Sequence, residues 1–158
     1  MQYLKVLILA VLTGFFLTSC GGDSTSSTTS STGEKPKSML ADPADADPLI
    51  NKGVGPIKEV KLDPEIDQEL VAKGKEVYEL KCSACHKADK KFIGPAPAGI
   101  MKRRSPEWIM NMILDPEKMV KEDPIAKDLL IEYNMSPMAN QNLTEEEARS
   151  ILEYFRTL

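Results

Sequence analysis

Residues 82 to 86 read Cys-Ser-Ala-Cys-His, and outside them the 158-residue chain holds one further cysteine, Cys20, and no other histidine. Three metal-ligating or nucleophilic groups within five residues constrain this chain more than any other feature. A redox-active Cys-x-x-Cys pair belongs at the start of a helix in an α/β sheet, and no alternating run of strand length is present to build one. A structural zinc ion takes four ligands, usually two such pairs or a pair with distant histidines, and only three candidates exist. The reading that uses every group is covalent haem. The thiols of Cys82 and Cys85 would add across the porphyrin vinyl groups as thioethers, and His86 would reach the iron from one face.

The ends of the chain are unlike each other. Residues 3 to 17 are almost wholly apolar, with Lys5 the only charge, a run too short and too terminal for a membrane span and of the kind found in signal peptides. It ends in Leu17-Thr18-Ser19-Cys20-Gly21, which resembles a bacterial lipoprotein signal over the first 21 residues or so. That resemblance implies cleavage after residue 19 and a lipidated Cys20 as the mature N-terminus. The alternative is an ordinary signal peptide or short anchor helix with an incidental cysteine. Several acyl chains, at ~0.8 kcal/mol per buried methylene, would make the membrane attachment effectively permanent.

Residues 20 to 62 read as a tether, rich in Gly, Ser, Thr, Asp, Pro and Ala and poor in large apolar side chains, so little burial offsets the entropy of ordering them. About 40 such residues reach roughly 35 Å on average and over ~100 Å when extended. The part from Leu49 to Leu62 is more apolar, and the sequence leaves open whether it is tether or an extended strap against the domain.

Residues 63 to 158 form the domain, read as all-α. Asp63-Pro64-Glu65 pairs an N-cap with a proline at the first helical position, and Ile66, Leu70, Val71, Val77, Tyr78 and Leu80 follow at near-helical spacing into Cys82. Ser105-Pro106-Glu107 opens a second helix that Asp115-Pro116 stops. Asp115-Pro116 and Asp123-Pro124 start further short helices, the latter carrying Leu129, Leu130 and Ile131. Thr144 with Glu147 is a capping box, and Ile151, Leu152, Tyr154, Phe155 and Leu158 make the buried face of a terminal helix.

Beyond the Cys-Ser-Ala-Cys-His motif, Gly74, Tyr78 and Cys82 stand four residues apart, and Ile151 and Tyr154 stand three apart near the other end. In these residues the domain resembles the small class I, monohaem cytochromes c. The resemblance implies three to five helices around one covalent haem c, with the glycine and aromatic of the first helix packed on the last. It also implies that Gly94-Pro95 forms the loop whose proline carbonyl accepts a hydrogen bond from the axial His86. Arg103, Arg104 and Trp108 are candidate propionate contacts, with a packed core role an equal alternative for Trp108.

A sixth ligand cannot be a second histidine of the same chain, which leaves methionine, lysine or an open site. Of eight methionines, Met1 lies in the signal, Met39 in the tether, Met110, Met112 and Met119 in or beside helices, and Met101 close to the proximal loop. Met135 and Met138 remain. The family places its axial methionine about six residues before the cap of the last helix, which selects Met138 over the runner-up Met135; here Pro137 precedes the methionine instead of following it. A His/Met iron has no vacant position, so the resemblance implies one-electron transfer and not enzymatic bond chemistry. The alternatives are a haem-relay subunit of a larger respiratory complex and a five-coordinate gas-binding protein.

Loss of Lys5 with the signal leaves 19 basic against 24 acidic side chains, yet Lys87, Lys90, Lys91, Lys102, Arg103 and Arg104 cluster after the haem motif. Such a segment would steer an acidic redox partner toward the haem, or is simply solvated. A monomer with no nucleic acid and no small-molecule substrate is expected. Haem attachment and lipidation both imply the periplasmic side of a bacterial membrane, with inner or outer membrane left open.

Overall fold

The computed structural model describes residues 47–158; the signal segment, Cys20, Met39 and the tether up to residue 46 lie outside the described residues. Among the described residues there are five α-helices and no strand: α1 (Gln68–Lys81), α2 (Pro106–Leu114), α3 (Pro116–Glu122), α4 (Pro124–Glu132) and α5 (Glu145–Phe155), with a 3-10 turn at Ile100–Lys102. The all-α expectation is met.

The cap of α1 differs from the expected one. Asp67 caps the helix, its carboxylate accepting from Glu69 N and Leu70 N at 2.9 and 3.1 Å. Asp63 and Pro64 lie in the preceding chain, where their carbonyls take the Arg156 guanidinium at 2.7 and 3.4 Å. Two aspartates compete for one helix start, and the second wins because Arg156 holds the first in non-helical chain. Leu80, expected on the apolar face, is 74% exposed.

The first and last helices cross at their smallest residue. A side chain on Gly74 would overlap the backbone carbonyl of Ser150, so only glycine lets the two backbones approach this closely. One turn on, the Tyr78 ring lies 5.5 Å from that of Tyr154 and 5.8 Å from that of Phe155. Ile151 and Leu152 are fully buried beneath. Helix α5 starts at the Thr144–Glu147 capping box, a device typically worth about 1 kcal/mol.

Helices α2, α3 and α4 follow one another through two Asp-Pro steps. Proline disfavours a helical conformation in the residue before it, so Asp115 ends α2 at φ −141° and its side chain then caps α3 through Lys118 N. Asp123 repeats the move for α4, accepting from Ala126 N at 2.8 Å. Beyond α4, Asn134 and Met135 both take left-handed φ values, 57° and 59°, and residues 136–143 lead on to α5.

Residues 51–60, which the sequence leaves open between tether and strap, lie against the domain as a strap. Asn51 and Ile57 are 4% and 8% exposed. Asn111, fully buried in α2, holds the strap with one amide: its oxygen accepts from Ile57 N, and its nitrogen donates to the carbonyls of Lys52 and Ile57, all at 2.9 Å. Gly55 is needed there because any side chain would run into that amide. The packed part of the chain therefore begins near residue 51 and not at 63.

Candidate functional site

The Cys-Ser-Ala-Cys-His segment is the C-terminal extension of α1. Cys82 caps the helix, its N–H donating to Tyr78 O at 2.9 Å, and the turn closes with Cys85 N and His86 N on Cys82 O at 3.1 and 2.9 Å. Tyr78 Oη donates to His86 O at 2.9 Å, tying the end of the motif back to the helix. Burial, followed by the nearby Cys82 and Tyr154, pushes that phenol up to about 12, so it remains a donor at any ordinary pH.

From the other side the loop of residues 92–97 closes on the motif. Gly94 N donates to Cys85 O at 2.9 Å, and His86 Nδ1 lies 2.8 Å from Pro95 O. A carbonyl can only accept, so Nδ1 carries the proton and Nε2 keeps its lone pair for a metal. A side chain at Gly94 would run into the His86 ring; the glycine lets the loop approach close enough to make this bond. Both thiols are free. Burial and the neighbouring Cys85 push Cys82 up to about 11, which keeps it a thiol at neutral pH.

These groups border a cavity of about 560 Å³. Cys82, Cys85, His86 and Pro95 form one wall; Ile109, Ile113, Leu129, Ile151 and Phe155 supply much of the apolar lining, and Met138 comes from the loop after α4. Met135 is 63% exposed and is not part of the wall. Met112 borders the cavity from α2, whereas Met119 is fully buried and takes the Val54 N–H on its sulfur at 3.1 Å.

Arg103, Arg104 and Trp108 all border the same cavity. Arg103 Nη2 donates to Ala96 O at 2.9 Å. Arg104 Nη1 donates to Arg103 O at 2.6 Å, and its Nε is buried with no hydrogen-bond partner. Burial and Arg103 work to lower its affinity for its proton, while Asp123 and Glu132 oppose them. For Trp108 the geometry matches the packed alternative: its single N–H is committed to Asp123 Oδ1 at 3.0 Å and the residue is 2% exposed.

The residues present fit haem c. Two thiols and an imidazole with a free lone pair lie on one wall, the interior is apolar, and an unpartnered cationic donor on the rim suits an anionic propionate. The sequence reading missed the buried polar groups behind the cavity: Asn51, Glu107, Asn111 and Asp123. Asp123 was visible only as a helix cap; the paired Gly53 and Gly55 beside Asn51 were the available sign of close backbone packing.

A helical domain built around a covalent haem seat defines the class. The chain belongs to the cytochrome c family: the family model described as cytochrome c matches residues 71–158. Proteins of this family bind haem c covalently, with its iron, and use it for electron transfer. Among solved structures, a cytochrome c from Rhodothermus marinus is 44% identical over 65% of this chain and 88% of its own, with a TM-score of 0.63. An engineered form of that protein, bound to a carbene intermediate, is also 44% identical over 65% of this chain and 88% of its own, with a TM-score of 0.60. The cytochrome c domain of a Pseudomonas putida protein is 27% identical over 53% of this chain and 85% of its own, with a TM-score of 0.50. No curated protein matches the chain.

Proposed function

We propose that this protein is a membrane-tethered, one-electron carrier on the periplasmic side of a bacterial envelope. Cys82 and Cys85 would hold the haem by thioethers, and His86 Nε2 and the Met138 sulfur would ligate its iron. The observation that carries this reading is that both thiols, the imidazole and the thioether of Met138 all border one cavity, while Met135 does not. The haem supplies a one-electron couple. The chain's own residues do the rest: Pro95 fixes the His86 tautomer, and the apolar walls exclude water, keeping reorganisation small. The soft thioether favours the ferrous state relative to a second imidazole.

The ligand assignment is tested by the visible spectrum of the oxidised protein. The weak red-end band of an iron–thioether bond is expected in the native protein and in Met135→Ala, and is expected to vanish in Met138→Ala. Its persistence in Met138→Ala would sink the assignment.

The carrier exchanges electrons between respiratory donors and a terminal oxidase or periplasmic reductase, and it works as a monomer. Lys91 and Ile93 border the cavity, and the exposed segment around them supports an acidic docking partner. Phe92 and Ile93 are 51% and 50% exposed, Lys87 and Lys91 flank them, and Lys90 is exposed beside them. Lys90→Glu/Lys91→Glu should slow electron transfer to the partner and flatten its salt dependence; an unchanged rate and slope would remove the docking role. The anchor is Cys20. Cys20→Ser is expected to move the protein from the membrane to the soluble fraction, and continued membrane retention would refute lipidation there.

A further inference from the structure

The strap makes contacts that electron transfer by itself does not require. Asn51 Nδ2 donates to Asp123 Oδ2 at 2.7 Å, and Ser105 Oγ donates to Asn51 O at 2.6 Å. Asp123 is 2% exposed, and its other oxygen takes Trp108 Nε1 at 3.0 Å and Ala126 N at 2.8 Å. The Trp108 ring in turn carries the Arg104 guanidinium, whose carbon lies 5.2 Å from the ring centroid. Arg104 borders the cavity and keeps a buried Nε without a partner. Asn51, Asp123, Trp108 and Arg104 thus run in unbroken contact from the strap to the cavity wall.

We propose that the strap is a positioning element for the propionate end of the haem: Asn51 orients Asp123, Asp123 orients Trp108, and Trp108 holds Arg104 against a propionate. This rests on the reading of the cavity as the haem seat. The physics runs in one direction. A buried carboxylate keeps its orientation only while its oxygens are hydrogen-bonded. Without Asn51, Asp123 Oδ2 loses its side-chain donor, and the carboxylate, anchored through Oδ1 alone, can turn about that anchor and loosen its hold on the indole N–H. The indole is the platform for Arg104, and a planar guanidinium stacked on an aromatic face is a fixed donor where an unstacked one is mobile. A cation held beside a propionate offsets its negative charge, and a positive charge near the iron disfavours the ferric state. Loosening Arg104 therefore lowers the reduction potential. Asn51, Asp123 and Trp108 are positioning residues; only Arg104 touches the group.

The test is a double-mutant cycle read as reduction potential on full-length holoprotein, with thermal stability followed in parallel. Arg104→Gln is expected to shift the one-electron equilibrium about tenfold toward the oxidised form, ~59 mV, and Arg104→Lys, which keeps the charge without the planar fork, should recover part of it. Asn51→Ala is expected to shift it about threefold in the same direction in the native background, and not at all in Arg104→Gln. Lys52→Ala removes the strap's ion pair with Glu107 without touching Asp123 and should leave the potential unchanged. If Asn51→Ala does not fold, Asn51→Gln, which displaces the amide on a longer arm, replaces it with the same expected results. The proposal is overturned if Asn51→Ala lowers stability while the potential stays put, since the strap is then only structural. It is equally overturned if the two shifts add, since the strap then acts by another route. Native protein without covalent haem would instead refute the seat on which the proposal rests.

Discussion

The two walls of the cavity are built in opposite ways. On the proximal side, five consecutive residues deliver three functional groups, and α1, the Tyr78 hydroxyl, Gly94 and Pro95 pin them with hydrogen bonds of 2.8 to 3.1 Å. On the distal side, Met138 stands on a loop that carries two left-handed residues, Asn134 and Met135. Met138 is half-buried, while its neighbours Pro137 and Ala139 are exposed. Rigidity is needed on the side of the imidazole. Its tautomer and ring plane depend on the bond from Nδ1 to Pro95 O; a thioether has neither tautomer nor plane, so a looser loop is enough to present it.

The largest expected effect breaks the rigid side. Gly94→Val would force the loop off the His86 ring, separating Pro95 O from Nδ1. Loss of the His86 ligand, read from the visible spectrum and from the covalent haem content by mass, is the expected result. Normal ligation in this variant would show that the close approach is dispensable.

The distal side should fail more gently. Met138→Ala is expected to keep the fold at a cost of about 2 kcal/mol, the low end for removing a packed methionine, and to lower the potential by ~59 mV or more. Met135→Ala should change neither measurably. Equal effects from the two variants would undo the contrast drawn between them.

The strap offers a third comparison, since it braces the domain from behind. Asn111→Ala leaves the N–H of Ile57 and the carbonyls of Ile57 and Lys52 without their partner, at about 1–3 kcal/mol, visible as a lower denaturation midpoint with unchanged haem spectrum. A spectral change would mean that strap and haem are coupled through α2 itself.

Acid should next loosen the brace at Glu107 and the α1–α5 contact at Glu153. Burial raises the Glu107 and Glu153 carboxyls, but in Glu107 hydrogen bonds from its own N–H, Val60 N and Lys52 outweigh it, and in Glu153 those from Arg149 and Asp67 N, with Arg149 and Arg156 adding charge. Both therefore sit below the ordinary 4.5. Lowered folded values stabilise the protein above the unfolded value, and that contribution is lost as pH falls through the folded ones. Thermal midpoints should be flat above about pH 5 and drop below it, with Glu153→Gln removing part of the slope. A midpoint that rises on acidification would contradict the assignment.

What the sequence made legible tracks chain separation. The proximal groups are contiguous, so five letters display them, and helix caps such as Ser105 and Thr144 are read within four residues of what they cap. Gly74 and Tyr78 declare their packing against α5 only through resemblance, because nothing in their own segment names the partner 70-odd residues away. The brace was illegible for the same reason carried further. Asn51 binds Asp123 across 72 positions and Ile57 binds Asn111 across 54, and isolated amides in polar stretches look like solvated loop residues until the fold buries them. Asp63 shows the limit of local rules: its Asp-Pro signal is a sound helix start, and Arg156, 93 residues away, overrules it.

Under the proposed function, His86 and Met138 together would leave the iron no vacant position for a ligand. Stopped-flow mixing of carbon monoxide with the ferrous protein tests it most directly. No binding by the native protein is expected on a timescale over which Met138→Ala binds fully; rapid binding by the native protein would overturn ligation by Met138 and favour a gas-binding haem protein.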